Sequence, residues 1–234
     1  MDSEFVVLGI VWYVIFLFAI VLHEFAHAIA AYKLGDRTAF DQGRLSLDPL
    51  PFIKREIFGV LIVPVASYIL GGWMIGWAST PFDHQWAEKN LKKHALMSIA
   101  GPAANLALFL LAAIFIRIGF YFDIFYAPET INFSQVTASS SAGLGVSLAT
   151  VLSIFFSLNL ILMLFNLLPF PAFDGSSVLP LLADGDRAVE IFYIVNNPKY
   201  LFISVIVAWN IFEFVYGPIH LFIMNLLYPG VSYH

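Results

Sequence analysis

The chain contains no cysteine. Its absence excludes a disulfide framework and any metal site built from thiolates. Charged side chains are also scarce, at 12% of 234 residues, and the net charge of -5 is spread along the chain without a basic tract. A protein of this kind lacks the electrostatic surface that nucleic acids require, so we expect no nucleic-acid partner.

Apolar residues, by contrast, are abundant and make up 60% of the chain. Several apolar runs are long enough to cross a hydrocarbon layer of about 30 Å as helices. They cover residues 5–31, 95–119, 143–168 and 200–228. We therefore predict an all-α polytopic membrane protein with about four transmembrane helices, folded as a single domain over residues 1–234 and surrounded by membrane lipid. Whether the last run is one kinked span or a hairpin is left open.

A fifth apolar run, residues 57–78, is interrupted by Pro64 and by glycines at 71, 72 and 76. We interpret it as a re-entrant segment, because irregular backbone is tolerated at membrane depth where protein or water covers it. Before it, residues 43–49 alternate apolar and polar side chains and end in proline, which predicts a short β-strand or hairpin. Such an edge could pair with an extended substrate, although an ordinary surface hairpin explains the pattern equally well.

The first apolar run contains His23, Glu24 and His27 in the pattern His-Glu-x-x-His. On a helix the two histidines lie one turn apart on the same face, so both imidazoles can bind one metal ion. The neighbouring carboxylate of Glu24 is then placed to activate a water molecule. This combination is typical of a metal-dependent hydrolase.

The setting of this motif strengthens the interpretation. A charged side chain in a lipid-length helix costs about 2.5 to 3.5 kcal/mol on insertion scales. Placing His23, Glu24 and His27 together in such a helix would be costly unless another group compensated for their polarity. A metal ion in a water-filled interior would do so. The alternative is that the three residues end the span and bond only to one another, which we consider less favourable because it buries polar groups without function.

A catalytic zinc ion usually has three protein ligands, so one is still missing. Asp174 is the best-placed candidate, because Pro169 and Pro171 stop the preceding helix and Gly175 permits a tight turn toward the bundle. Other carboxylates remain possible. They are Asp36, Asp41 and Asp48, which lie in a polar loop, and Glu213 in the last apolar run.

Further polar residues lie within or beside the apolar runs. Asn159 and Asn166 are seven positions apart and share a helix face, and hydrogen bonding between helices explains them as simply as a role at the site does. Asn105 and the small residues near it, including Gly101, indicate close helix packing. His84 and His94 are expected to be solvated, and Glu213 with His220 is expected to form a buried hydrogen-bonded pair.

The topology follows from the placement of Asp174. If Asp174 is to meet the two histidines, the first and third long runs must end on the same side, which holds only if residues 57–78 do not cross. That arrangement also places every lysine and arginine except Arg117 on the side of the metal. By the positive-inside rule the protein is then a multi-pass protein of the cell membrane, with its active site toward the cytoplasm and its N-terminus outside.

Three motifs together resemble the site-2 protease family of intramembrane zinc metalloproteases. They are His23-Glu24-x-x-His27, Ala100-Gly101-Pro102-x-x-Asn105 and Asn166-x-x-Pro169-x-Pro171-x-x-Asp174-Gly175. Residues 43–49 and 76–78 also resemble the compact branch of that family, without an inserted PDZ-like domain or an appended regulatory domain.

The resemblance implies a function and a role for each residue. His23, His27 and Asp174 are implied as ligands of Zn²⁺, Glu24 as the catalytic acid/base, and Asn166 as a residue that positions substrate or stabilises the oxyanion. The implied substrates are membrane proteins with a transmembrane segment. A metal transporter or a non-proteolytic scaffold remains as an alternative, since intramembrane histidine and carboxylate groups also serve ion pathways. The oligomeric state is not predicted.

Overall fold

The structure is a computed structural model that describes residues 2–233, apart from the side chain of Glu213. Within these residues the chain forms nine α-helices. They are α1 (Ser3–Leu34), α2 (Thr38–Asp41), α3 (Leu50–Arg55), α4 (Val63–Gly71), α5 (His84–Lys89), α6 (Leu91–Tyr121), α7 (Leu144–Asn166), α8 (Asp186–Val195) and α9 (Leu201–Leu227). A π-helical turn, Phe58–Ile62, precedes α4, and 3-10 helices cover Asp174–Leu182 and Pro198–Tyr200.

Among the described residues, three helices are long and apolar enough to cross a membrane, namely α1, α6 and α7. A fourth span results if α8 and the first part of α9, which meet at a bend of 52°, are taken together. These helices confirm the all-α polytopic class. The last apolar run is one helix with Pro218 inside it, rather than a hairpin.

Two apolar clusters hold the long helices together. In the first, Trp12 and Phe16 of α1 pack against Ile154 and Leu158 of α7. In the second, side chains of α6, α7 and α9 meet, including the fully buried Tyr228. α7 contributes to both clusters and therefore links them.

The segment between α3 and α5 doubles back on itself. Trp77 donates its backbone N–H to the carbonyl of Gly59 at 3.1 Å, and Ser79 donates both N–H and hydroxyl to Glu56 at 3.1 Å. A Cβ atom on Gly59 would lie 2.3 Å from the carbonyl oxygen of Trp77, so the two arms are in backbone contact. The segment thus enters and leaves at the same end of the bundle, as the re-entrant interpretation requires.

Contacts at the opposite end of the bundle complete the topology. The Arg117 guanidinium, near the end of α6, donates to the carbonyl of Leu227 at 2.8 Å, and the Tyr228 hydroxyl donates to the carbonyl of Val136 at 3.1 Å. The remaining lysines and arginines lie in residues 33–93 and 187–199, at the end where α1 terminates. Positive charge is therefore concentrated at one end of the molecule.

The predicted strand at residues 43–49 is not confirmed, and residues 2–233 contain only isolated β-bridges, between Tyr126 and Ala138 and between Asn132 and Gln135. The backbone is held locally instead. Asp48 donates its N–H to the hydroxyl of Ser46 at 3.1 Å, and its carboxylate accepts from the N–H of Leu50 at 3.0 Å. Such side-chain bonds compete with strand pairing.

Candidate metal centre

His23 and His27 lie on the buried face of α1 and point at the same place. Their Nε2 atoms are 3.0 Å apart, and the two rings are nearly perpendicular. Only 3% of His23 and 5% of His27 is exposed. The spacing of four residues brings the rings together because successive turns of an α-helix stack side chains on one face.

Asp174 completes a group of three converging atoms. Its Oδ2 atom lies 3.1 Å from Nε2 of His23 and 3.3 Å from Nε2 of His27. Burial acts to raise the pKa of Asp174, yet the adjacent histidines, His27 first, hold that pKa well below its usual range. The carboxylate is therefore ionised at neutral pH, which is the state that binds a cation.

The turn that carries Asp174 to the histidines differs in detail from the one predicted. α7 ends at Asn166, before Pro169 and Pro171, as expected. The left-handed residue of the turn is Ala172, with φ 83°, whereas Gly175 has no positive φ. Gly175 is needed for a different reason, because a Cβ atom there would lie 2.3 Å from the carbonyl oxygen of Leu167. The glycine permits the 3-10 helix to pack on the end of α7.

Glu24 lies beside this group and is 3% exposed. One ligand atom from each of His23, Glu24 and His27 falls within 4.8 Å of the others, a spacing that could hold a metal ion. The Oε2 atom of Glu24 accepts a hydrogen bond from the hydroxyl of Thr80 at 2.7 Å. Thr80 comes from the extended residues that return from α4, which sequence reasoning did not connect with the site.

Gly101 of α6 leaves the space that a metal ion would need. A Cβ atom at this position would lie 2.3 Å from Nε2 of His27 and 2.5 Å from Nε2 of His23. On its outer side His27 is held by a hydrogen bond from Nδ1 to the carbonyl of Met97 at 2.9 Å. With its outer nitrogen bonded to backbone, His27 presents Nε2 toward His23 and Asp174, as a metal ligand does. The residues present therefore fit a bound metal ion.

Asn166 is not joined to this group by any hydrogen bond that the described residues show. Its side-chain amide donates to the carbonyl of Leu162 in its own helix at 3.0 Å. Asn159, by contrast, is fully buried and bonds to Asn105 of α6 at 2.9 Å. The interhelical hydrogen bond that the sequence suggested for Asn159 is therefore present.

Two predictions about other histidines have different outcomes. His94 is 2% exposed and packs between Phe82 and Phe192, so the prediction that it is solvated was wrong, whereas His84 is exposed. His94 was misjudged because the aromatic residues that cover it are distant in sequence. His220 stacks on Tyr216, and its predicted partner Glu213 has a side chain outside the described residues.

Comparison with known proteins identifies the family of the chain. A sequence model described as peptidase family M50 matches residues 11–208. "Putative zinc metalloprotease YwhC" of Bacillus subtilis is 37% identical over 169 residues, which cover 71% of this chain and 67% of that protein. "Putative zinc metalloprotease Rip2" of Mycolicibacterium smegmatis is 32% identical over 70% of this chain, and the match spans about half (53%) of that relative's length.

The Rip2 protein of Mycobacterium tuberculosis is 31% identical over the same share of the chain. No solved structure matches. The family match covers most of the chain and includes His23, Glu24, His27 and Asp174, the residues that converge in the structure. The chain belongs to peptidase family M50.

Proposed function

We propose that the protein is an intramembrane zinc metalloprotease that hydrolyses peptide bonds within or near transmembrane segments of membrane proteins. The observation that carries this proposal is the convergence of two imidazole nitrogens and one carboxylate oxygen within 3.3 Å, where both imidazoles belong to a helix of lipid-spanning length. Relatives named as zinc metalloproteases support the choice of metal.

His23, His27 and Asp174 are the residues that would hold the ion, since two histidines and one carboxylate form a common catalytic zinc set that leaves a position open. A zinc ion at this place supplies Lewis-acid chemistry, which polarises a peptide carbonyl and acidifies a water molecule. Gly101 leaves room for that chemistry, because a Cβ atom at this position would lie within 2.5 Å of both Nε2 atoms.

Glu24 is the proposed general base and acid. Its carboxylate lies within 4.8 Å of the ligand atoms of His23 and His27, where it can take the proton that the attacking water gives up and pass it to the leaving amine. The hydrogen bond from Thr80 holds one carboxylate oxygen and leaves the other for this transfer. Asn166 remains a proposed substrate-positioning residue, because its side chain lies at the end of α7 just before the turn to Asp174.

The topology of the fold supports a site toward the cytoplasm. Ten of the eleven lysines and arginines lie in segments at the end of the bundle where α1 terminates, and Arg117 alone lies at the other end. By the positive-inside rule the first end faces the cytoplasm of the cell membrane. We propose that water and an unwound part of the substrate reach Glu24 from that side.

The test compares detergent-purified wild type with Glu24→Gln and Asp174→Ala, measuring zinc content and cleavage of a membrane-spanning test substrate. We expect about one zinc per chain in wild type, bound zinc without cleavage in Glu24→Gln, and loss of both in Asp174→Ala. Asp184→Ala is the matched control, because Asp184 is an exposed carboxylate a short distance along the same segment.

Cleavage by Glu24→Gln at the wild-type rate would disprove the assigned role of Glu24. Zinc bound by wild type together with zinc flux into proteoliposomes and no peptide cleavage would favour the transporter alternative. A wild-type protein that binds no zinc would overturn the proposal as a whole.

A further inference from the structure

A line of hydrogen bonds joins His23 to the backbone of α7. The Nδ1 atom of His23 bonds to Oδ1 of Asn105 on α6. The amide Nδ2 of Asn105 donates to Oδ1 of Asn159 at 2.9 Å, and Nδ2 of Asn159 donates to the carbonyl of Phe155 at 2.8 Å. Asn105 and Asn159 are both 0% exposed. We call Asn105 and Asn159 the asparagine relay.

Only one orientation of the two side-chain amides in the asparagine relay gives every donor and acceptor along this line a partner. The carbonyl of Phe155 can only accept, so the amide nitrogen of Asn159 must face it and the oxygen of Asn159 must face Asn105. That oxygen also only accepts, so Asn105 presents its nitrogen to Asn159 and its oxygen to His23. Nδ1 of His23 must then carry a proton, and in the neutral imidazole, the form that binds a metal, the lone pair lies on Nε2.

Reversing either amide would place two acceptors or two donors against each other in a buried position. An unsatisfied buried polar group costs about 1 to 3 kcal/mol, so the reversed arrangements are disfavoured. A single backbone carbonyl on α7 therefore determines, through two side chains, which nitrogen of His23 is free. That free nitrogen is the one that faces His27 and Asp174.

We propose that Asn105 and Asn159 are positioning residues for zinc: they hold His23 in the tautomer with the proton on Nδ1 and so prepare Nε2 to bind the metal. The inference rests on the proposed function, because it takes zinc as the ion bound at this site. It extends that function, because part of the zinc affinity would then depend on Asn159 of α7, although none of the proposed ligands lies within α7.

The two histidines differ in how they are oriented. His27 bonds directly to the carbonyl of Met97, a backbone group that side-chain substitution does not remove. His23 depends on side chains, so its orientation can be tested by mutation. Hydrogen-bond partners behind a metal ligand typically contribute 10- to 100-fold in metal affinity.

The experiment measures zinc affinity of the full chain in detergent by competition with a chelator of known affinity. The variants are Asn105→Leu, Asn159→Leu, the double variant and Asn105→Asp. Ser157→Ala is the matched control, because Ser157 is fully buried on α7 two residues before Asn159 and its hydroxyl has no partner among the described residues. Melting temperature and helical circular dichroism report folding of each variant.

We expect Asn105→Leu and Asn159→Leu each to weaken zinc binding about tenfold or more, and Ser157→Ala to leave it unchanged. Because Asn159 acts through Asn105, the double variant should bind no more weakly than Asn105→Leu alone. Asn105→Asp should bind more tightly than Asn105→Leu, since a carboxylate still accepts the Nδ1 proton. If a leucine variant does not fold, Asn105→Ala and Asn159→Ala remove the same hydrogen bonds without added bulk, and the same losses are expected.

Wild-type zinc affinity in the Asn105 or Asn159 variants would overturn the inference. It would also be overturned if the fold-loss of affinity in the double variant equalled the product of the two single losses, as it does for independent sites. Equal weakening in Asn105→Asp and Asn105→Leu would also overturn it, because packing alone would then explain the effect. Failure of the proposed function has a different signature: wild type itself would bind no zinc, or it would bind zinc without cleaving the test substrate, whatever the affinities of the variants.

Discussion

The hydroxyl of Thr80 lies 2.7 Å from Oε2 of Glu24 and 3.1 Å from the backbone carbonyl of the same residue. Thr80 belongs to the extended chain that returns from α4. The neighbouring Ser79 ties this chain to the start of the doubled-back segment, because it donates two hydrogen bonds to Glu56. The doubled-back segment therefore reaches the carboxylate that we propose as the general base. Its effect on Glu24 is one of position, because a single hydroxyl fixes one of the two carboxylate oxygens.

Replacing Thr80 with valine removes this hydrogen bond while keeping the shape of the side chain. A hydrogen bond to a charged group contributes about 1.5 to 3 kcal/mol, so we expect kcat to fall about tenfold or more. KM and zinc content should stay near their wild-type values, because the hydrogen bonds that the described residues show for the Thr80 hydroxyl both go to Glu24 and not to a proposed ligand. Steady-state cleavage of a membrane-spanning test substrate measures both constants.

Thr80→Ser is the control for this prediction, since serine retains the hydroxyl and should retain most of kcat. A valine variant with wild-type kcat would show that the bond does not position Glu24. Equal losses in the valine and serine variants would indicate a packing role for the threonine methyl group.

Gly101→Ala should abolish zinc binding. The added Cβ atom would lie 2.3 Å from Nε2 of His27 and 2.5 Å from Nε2 of His23, closer than any real contact. The imidazoles would have to turn away from Asp174, and almost no zinc should remain bound after purification. Gly217→Ala on α9 is the matched control, because a Cβ atom there meets no atom within 4 Å. Full zinc occupancy in Gly101→Ala would contradict the placement of the ion between the histidines.

Asn166→Ala should separate substrate positioning from metal binding. Among the described residues the side chain of Asn166 bonds within α7, to the carbonyl of Leu162, so zinc affinity should be unchanged. If Asn166 contacts substrate as proposed, cleavage should fall while zinc remains bound. A variant that keeps full activity would remove Asn166 from the set of functional residues.

The absence of cysteine makes the topology directly measurable. Single cysteines can be introduced at Asp184, near the proposed site, and at Ser140, near the other end of the bundle, both of which are exposed. A membrane-impermeant maleimide should label Ser140→Cys in intact cells and Asp184→Cys only after permeabilisation. The opposite labelling pattern would place the metal centre on the outer side and contradict the positive-inside argument.

Much of this protein follows from local patterns in its sequence. Apolar runs of lipid-spanning length predicted the long helices, because a backbone in hydrocarbon must satisfy its own hydrogen bonds. The spacing of His23 and His27 predicted their shared face, because helical geometry alone decides it. Pro169 and Pro171 predicted the end of α7 and the turn toward the bundle, because each proline lacks a backbone donor and two of them so close together disfavour a continuing helix.

Other features were decided by tertiary structure, since they depend on residues that are distant along the chain. Thr80 meets Glu24 only because residues 57–78 double back, and Gly101 faces the histidines only because α6 crosses α1 at that point. His94 is buried by Phe82 and Phe192, and residues 43–49 form no strand within the described chain because no partner strand lies beside them. Local spacing thus determined the identity of the candidate ligands, whereas the packing of helices decided which groups orient them and leave room for a metal ion.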